Sequence, residues 1–421
     1  MTIVRCITLC VLVAISQQVS AQQLLQWISA QDLSRYTPLE REKWIEEEKP
    51  LKLRVFGGLS YDSNLLRLSG DTPPPASESG KDDMIYVIGA GGKYELRESR
   101  QKFIAEANVS EYKFQNFGNL DNTSDNLRGE WQWQAGHDWS GVLGAGQRRY
   151  LESFANFQQN VRDMVNVNRA YGSANYLLHS HLKLSVDSAF YDTDHGEVTR
   201  NSLDSKIMNT AFTVNWVTPA LNTVGLQYRT SDARFPNEEI IASTLVKNNY
   251  HENEFSLVAH WVPSGASDFI GRVGYTSRKF DELPQRDFSA PTWRLVYLWE
   301  VTGKTSFQFA TWREIAEFDD LTTNYVRATG VSFVPLWSMT RQVALRGKIS
   351  YENRRYVGDT GFVPVTAQRE DKDQIYQISA LWTPVRLTEL AWTVESGRRT
   401  SNQVFADYKY EATSLVVTHY F

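Results

Sequence analysis

From Leu51 to Phe421 apolar and polar side chains alternate in segments of about a dozen residues, the repeat of an extended chain with one oily and one wet face. Leu182, Leu184, Val186 and Phe190 oppose Lys183, Ser185 and Asp187, while Val343, Leu345, Ile349 and Tyr351 oppose Gln342, Arg346, Lys348 and Glu352. Trp293, Leu295, Tyr297 and Trp299 flank Arg294, and Phe255, Leu257, Ala259 and Trp261 flank Glu254 and Ser256. The pattern lays out about eighteen such strands, with cores at 51–61, 84–96, 101–115, 124–136, 139–150, 165–178, 181–192, 205–217, 221–232, 250–262, 268–280, 290–301, 304–316, 322–335, 339–353, 372–383, 387–399 and 408–421.

The connections between these strands alternate in length. Short turns fall near Arg97 to Arg100, His137-Asp138, Leu178 to His181, Thr218 to Leu221, Pro263 to Ser267, Thr302-Gly303, Leu336 to Ser338 and Pro384 to Arg386. Long polar links fall near Asp62 to Asp82, Glu152 to Met164, Asp194 to Asp204, Ala233 to Asn248, Asp281 to Ser289 and Arg354 to Asp371. A soluble β-sandwich has no reason to sort its loops by end; a membrane barrel with tight periplasmic turns and extended external loops does. Trp139, Trp216, Trp261, Trp299, Trp337 and Trp382 all lie within a few residues of a short turn, which places a belt of indoles at one membrane interface. The fold class that follows is all-β, a transmembrane antiparallel up-and-down barrel of about 18 strands.

The amino terminus sets the compartment. Arg5, the apolar run Cys6 to Ile15 and the small-residue site Val19-Ser20-Ala21 read as a signal peptide over residues 1–21. Residues 22–50, ending in the charged run Glu40 to Lys49, read as a short periplasmic segment before a barrel over 51–421. No later stretch reaches the roughly 18 to 20 continuous apolar residues of a membrane helix. Both cysteines, Cys6 and Cys10, belong to the leader, so the exported chain carries no thiol. The net charge of −5 offers no broad basic surface for nucleic acid. The expected location is the bacterial outer membrane, with lipid and lipopolysaccharide as surroundings.

Charges phased away from the apolar face must meet water, because a charged side chain turned to lipid at mid-membrane costs ~2–4 kcal/mol. Glu106, Arg148, Asp187, Arg229, Arg272, Arg294, Arg346, Lys348, Glu352 and Glu395 are therefore the pore-lining candidates. At about eighteen strands an aqueous channel is expected rather than a filled interior. Glycine runs such as Gly89 to Gly92 and Gly141 to Gly146 lie inside strand patterns with no helix following, which fails the context of a phosphate-binding loop. His179-Ser180-His181 and Asp192 to His195 fall in a turn and a loop mouth, where polar residues belong without chemistry. No catalytic, cofactor or metal residue is assigned.

Three stretches carry a family likeness: Tyr61-Asp62-Ser63-Asn64-Leu65-Leu66-Arg67-Leu68, Trp131-Gln132-Trp133-Gln134, and the run from Tyr150 to Ala155. Together they resemble the EpsL-like family of exosortase-associated exopolysaccharide transporters, over most of the chain after the leader and most strongly from Leu51 to about Asp194. Leu66 stands where that family has Phe, and His419 departs from the apolar or aromatic residue of many closing strands. The resemblance implies an outer-membrane barrel working with polysaccharide-secretion components of the periplasm and inner membrane. Asp62 and Asn64 can cap a turn at the outer rim, with Arg67 in the same motif. The final strand, Leu415 to Phe421, ends on an aromatic residue and resembles the signal read by barrel-insertion machinery. Export of a polysaccharide, diffusion of small solutes or oligosaccharides, and an outer-membrane hydrolase are the readings carried forward, in that order.

Overall fold

The computed structural model describes residues 50–155, 157–241, 244–316, 325–357 and 368–421. The leader over 1–21 and nearly all of segment 22–50 lie outside the described residues. Strands alternate along the chain: β1 (Leu51–Asp62), β2 (Asp83–Glu98), β3 (Gln101–Phe114), β4 (Asn122–Ala135), β5 (Trp139–Leu151), β6 (Met164–His179), β7 (Leu182–Asp194), β8 (Ser205–Val217) and β9 (Thr223–Arg234). A small hairpin, β10 (Glu239–Ile241) and β11 (Thr244–Val246), precedes β12 (Tyr250–Ser264), β13 (Ser267–Phe280), β14 (Phe288–Thr302), β15 (Thr305–Ala316), β16 (Tyr325–Ser338), β17 (Val343–Val357), β18 (Glu370–Val385), β19 (Thr388–Ser401) and β20 (Tyr408–Tyr420).

Leaving out the β10–β11 hairpin, eighteen strands form one antiparallel sheet in which each pairs with its sequence neighbours. β1 closes the circle on β20, from Arg54 opposite Tyr420 to Asp62 opposite Ala412. Phe421 extends that seam by one backbone bond, its N–H donating to the Leu53 carbonyl at 2.9 Å. Closure satisfies every strand edge, which is what allows a sheet to stand in hydrocarbon. The apolar members of each alternation, such as Leu51, Leu53, Val55 and Leu59 on β1, lie exposed on the outer face. A soluble protein would bury them; a bilayer accepts them.

The residue count between strands sorts by end, as two-residue turns at Ser99-Arg100 and Ser180-His181 show against the links over 63–82 and 152–163. Ser99, Leu221 and Leu387 take positive φ in the tight turns. One turn sits later than the pattern suggests. Ser338 still belongs to β16, and the turn falls at 339–342, where the Thr340 hydroxyl accepts from the backbone N–H of Gln342 and Val343. Pro335 misleads here: it stays within β16, and the β16–β17 ladder skips from Phe333 to Leu336 around it.

Candidate transport pathway

The side chains opposite the exposed apolar face line the interior, and on β9 to β19 they form dense ion pairs. Glu254 on β12, about 1% exposed, receives Arg229 of β9 at 2.6 Å and Arg272 of β13 at 3.1 Å, and accepts from the Thr276 hydroxyl at 3.1 Å. Arg294 of β14 forks onto Glu314 of β15 at 2.9 and 2.8 Å, with Arg272 at 3.4 Å from the same carboxylate. Arg278 forks onto Glu252 at 3.0 and 2.8 Å. Antiparallel register produces this set directly, because Glu254 stands opposite Arg229 on one side and Thr276 on the other.

A second set spans β15 to β20. Glu352 accepts from the Trp312 indole at 2.7 Å and from Arg354 at 2.8 Å. Arg399 forks onto Asp373 at 2.7 and 2.9 Å, while the Tyr410 hydroxyl and the Gln377 amide reach Glu395 at 2.6 and 3.1 Å. Arg346 and Lys348 share the inner face of β17 with Glu352. Such two-pronged, charge-assisted bonds are the strong class of hydrogen bond.

On β1 to β7 the inner face differs. Glu106 lies 3.8 Å from Arg128, a loose pair, and Arg148 stacks over the Tyr150 ring at 4.7 Å. Asp187 shares the inner face of β7 with Lys183. Glu130 accepts from the Tyr171 hydroxyl at 2.6 Å.

The outer rim is organised by the Asp62-x-Asn64-x-x-Arg67 motif. Arg67, held at φ +57, forks onto both Asp62 oxygens at 2.8 Å and lies 3.5 Å from the Tyr410 ring centre of β20. The guanidinium is largely buried; burial alone would lower its pKa, but the Asp62 charge outweighs that and holds the proton more firmly than usual. Asn64 donates to the carbonyls of Leu68 and Lys409 at 2.8 and 3.0 Å. These bonds fasten the first external loop across the β1–β20 seam.

That anchorage turns Leu65, Leu66 and Leu68 inward onto Phe117, Leu120 and Phe154 from the next two external loops, forming a buried apolar cluster at the mouth. The loop over 152–163 then runs on over β1 to β4, where Gln158 donates to the Arg67 carbonyl and Arg399 of β19 donates to the Ala155 carbonyl at 2.7 Å. Asp163 fixes its far end through Arg200 at 3.0 Å. The result is a strap across part of the mouth, and the Tyr150 to Ala155 run supplies its root. Glu254 was read as a wet-face residue but left out of the pore-lining candidates, and the carboxylates Glu252, Glu314, Asp371 and Asp373 and the Arg399 anchor were not singled out in the sequence, although strand parity marks each as facing inward.

Trp139, Trp216, Trp261, Trp299, Trp337 and Trp382 are all exposed on the outer face at the short-turn end. Trp139 stacks on Tyr176 at 4.5 Å and Trp299 meets Phe307 edge-on at 5.9 Å. The Phe421 ring is exposed and packs edge-on against His419 at 4.8 Å. His181 bonds the Val217 carbonyl at 3.1 Å and His195 pairs with Asp204 at 3.2 Å. Among the described residues no group of three His, Cys, Asp or Glu side chains converges as a metal site.

A closed barrel with an apolar exterior, an ionic interior and a loop strapped over its mouth defines a porin-type outer-membrane β-barrel. Residues 271–421 match the family described as "Putative beta-barrel porin 2". No curated protein matches the sequence. Among solved structures the chain is similar to Pseudomonas aeruginosa OpdQ (10% identity, 89% of this chain and 99% of that one, TM-score 0.49). It is similar also to Acinetobacter baumannii OccAB3 (8% identity, 88% and 99%, TM-score 0.48) and to the outer membrane protein opdK of P. aeruginosa (10% identity, 88% and 98%, TM-score 0.47).

Proposed function

We propose that this chain is a passive outer-membrane conduit for saccharides and that its cargo is an extracellular polysaccharide, moved outward without bond chemistry in the barrel. The observation that supports this reading is the inner wall: charged and hydrogen-bonding groups cover it on every side, and sugars exchange water for such groups at little cost. The likeness of the Asp62 motif and its companion stretches to exopolysaccharide transporters adds the direction and the partners, namely secretion components that deliver polymer from the periplasmic side. Pore-lining and interfacial roles for the charged and tryptophan sets belong to the same proposal.

Deleting the gene is expected to trap polymer inside the envelope or abolish it outside. Unchanged secretion in a strain confirmed to lack the protein would remove the export reading. A second reading, diffusion of small solutes or oligosaccharides, is favoured by the strap, which is bonded to the external rim at Arg67, Arg399 and Arg200. Proteoliposomes that swell rapidly in maltotriose, from a protein whose deletion leaves polymer secretion intact, would establish that reading instead.

A further inference from the structure

The external ends of β17 to β20 carry charge on both faces, and the two faces treat it differently. Inward, Asp373 receives Arg399 at 2.7 Å and Arg354 at 3.6 Å. Outward, on the parity of the exposed Ile349, Tyr376, Trp392 and Leu415, stand Arg355, Lys372, Arg398 and Lys409, one from each strand and all exposed. Register sets Arg398 directly opposite Lys409 across the β19–β20 ladder, and Arg355 directly opposite Arg327 across the β16–β17 ladder. Like charges placed opposite one another repel, so each pairing costs the sheet stability.

The nearby carboxylates relieve this only in part. Glu370 lies 3.7 Å from Arg355 and 3.9 Å from Lys372, long contacts to two side chains that are more than half exposed. Glu411 stands opposite Ser396, diagonal to Arg398 and two residues from Lys409. Among the described residues the Arg398 and Lys409 side chains make no ion pair and no hydrogen bond. Elsewhere on the outer rim acids and bases alternate at shorter range: Lys113 lies 3.2 and 3.1 Å from Glu111 and Asp121, and His251 lies 2.7 Å from Asp232.

Depth and surroundings identify the anion. Lys372 and the belt residue Trp382 share a face of β18, ten residues apart. That is ~33 Å along the strand and, at a tilt of about 40°, ~25 Å of height, the full apolar band of an outer-membrane barrel. With Trp382 at one headgroup layer, Lys372 stands at the other, on the external side. The turn that joins β19 to β20 adds Val404 and Phe405, 75% and 57% exposed, with Phe405 held at φ +65. Cations over an apolar wall, beside an apolar loop tip, suit the boundary between acyl chains and headgroups. A soluble anion would gain nothing from the apolar part.

We infer that the outer face of β17 to β20 binds the phosphate groups of an outer-leaflet lipid. Arg355 and Arg398 would fork onto phosphate oxygens while Lys372 and Lys409 supply point charges, and the acyl chains would lie down the apolar wall below. The bound phosphate would also offset the repulsion between the facing cations. None of this depends on what the bore carries.

The test uses the purified full chain in dodecyl maltoside, titrated with bisphosphorylated lipid A and followed by native mass spectrometry and thermal unfolding. Lipid A should bind and raise the unfolding midpoint, phosphate-free lipid A should bind roughly tenfold more weakly, and inorganic phosphate should displace little of the bound lipid. Arg398→Gln with Lys409→Gln should remove that preference for the phosphorylated lipid. The same variant in detergent alone should unfold at or above the natural midpoint, because a repulsive pair has gone. Arg355→Gln with Lys372→Gln should weaken lipid A binding independently, whereas Lys113→Gln, at a paired rim position, should leave it unchanged. Equal binding of the phosphate-free lipid, displacement by inorganic phosphate, a preference that survives the first double substitution, or an equal loss in Lys113→Gln would each overturn the proposal. So would a lowered midpoint of the first variant in detergent alone, which would make these cations braces of the barrel.

Discussion

The wall from β9 to β19 and the wall from β1 to β6 are both ionic, and they differ in what their charges meet. On the first, arginines fork onto carboxylates one or two strands away, and the central acid, Glu254, is 1% exposed. On the second, the pairs are longer and wetter: Lys93 stands 3.5 Å from Glu95 and Arg128 3.8 Å from Glu106, with both cations about 30% exposed. Charge that is tightly paired and enclosed braces the barrel, while charge that is loosely paired and wetted stays within reach of whatever fills the bore. The comparison predicts that stability and selectivity will separate between the two walls when single side chains are removed.

The largest expected effect is on the braced wall. Glu254→Ala would leave Arg229 and Arg272 enclosed without their shared counter-charge, and breaking such a pair from one side costs ~3–5 kcal/mol. The urea midpoint of refolded protein in detergent should fall sharply. An unchanged midpoint would show that water already screens this array and that the distinction between the walls is false. Arg128→Ala supplies the other half of the contrast: its pair with Glu106 is long and wetted, so the stability change should stay below about 1 kcal/mol. Ion selectivity in planar bilayers should shift toward potassium all the same, because a wetted cation leaves the bore.

A smaller effect is expected where the two walls are joined. Arg67→Ala removes both bonds to Asp62 and strips the Tyr410 face, leaving a buried carboxylate without its fork. A loss of ~1–3 kcal/mol follows from the unpaired acceptor. Because Gln158 hangs on the Arg67 carbonyl, the strap over 152–163 should loosen with it, seen as noisier and larger single-channel currents. Quiet currents of unaltered size would mean that Arg399 alone holds the strap.

Much of this architecture is written in the local pattern. Alternation fixes which face each residue takes, and the contrast between Ser180-His181 and the link over 152–163 fixes which end is which. Pro335 misled because its missing N–H can be absorbed by an unbonded gap in one ladder, which depends on its neighbours in space. The partners were illegible for a related reason. Parity places Glu254 inward, but only the relative register of β9, β12 and β13 brings Arg229 and Arg272 to it, and nothing within any one strand encodes that register. The strap lay further out of reach, since Arg399 and Ala155 are 244 residues apart.

The smallest effect concerns acid at the external rim beside β3 and β4. Asp121, just before β4, accepts the Phe114 N–H at 2.8 Å and lies 3.1 Å from the Lys113 ammonium. Partial desolvation would raise its carboxyl pKa, yet those two contacts outweigh it and hold the group below the ordinary aspartate range. A depressed carboxylate stabilises the fold fully above its unfolded value of about 3.9, and that contribution is lost as pH falls through the lower folded value. Hydrogen exchange at the Phe114 amide should therefore be slower in the natural protein than in Asp121→Asn at pH 6, with the difference shrinking as the pH approaches 2. Equal protection in both proteins at pH 6 would show that the loop over 115–121 is held by the Phe117 and Leu120 packing beneath it and owes nothing to this charge.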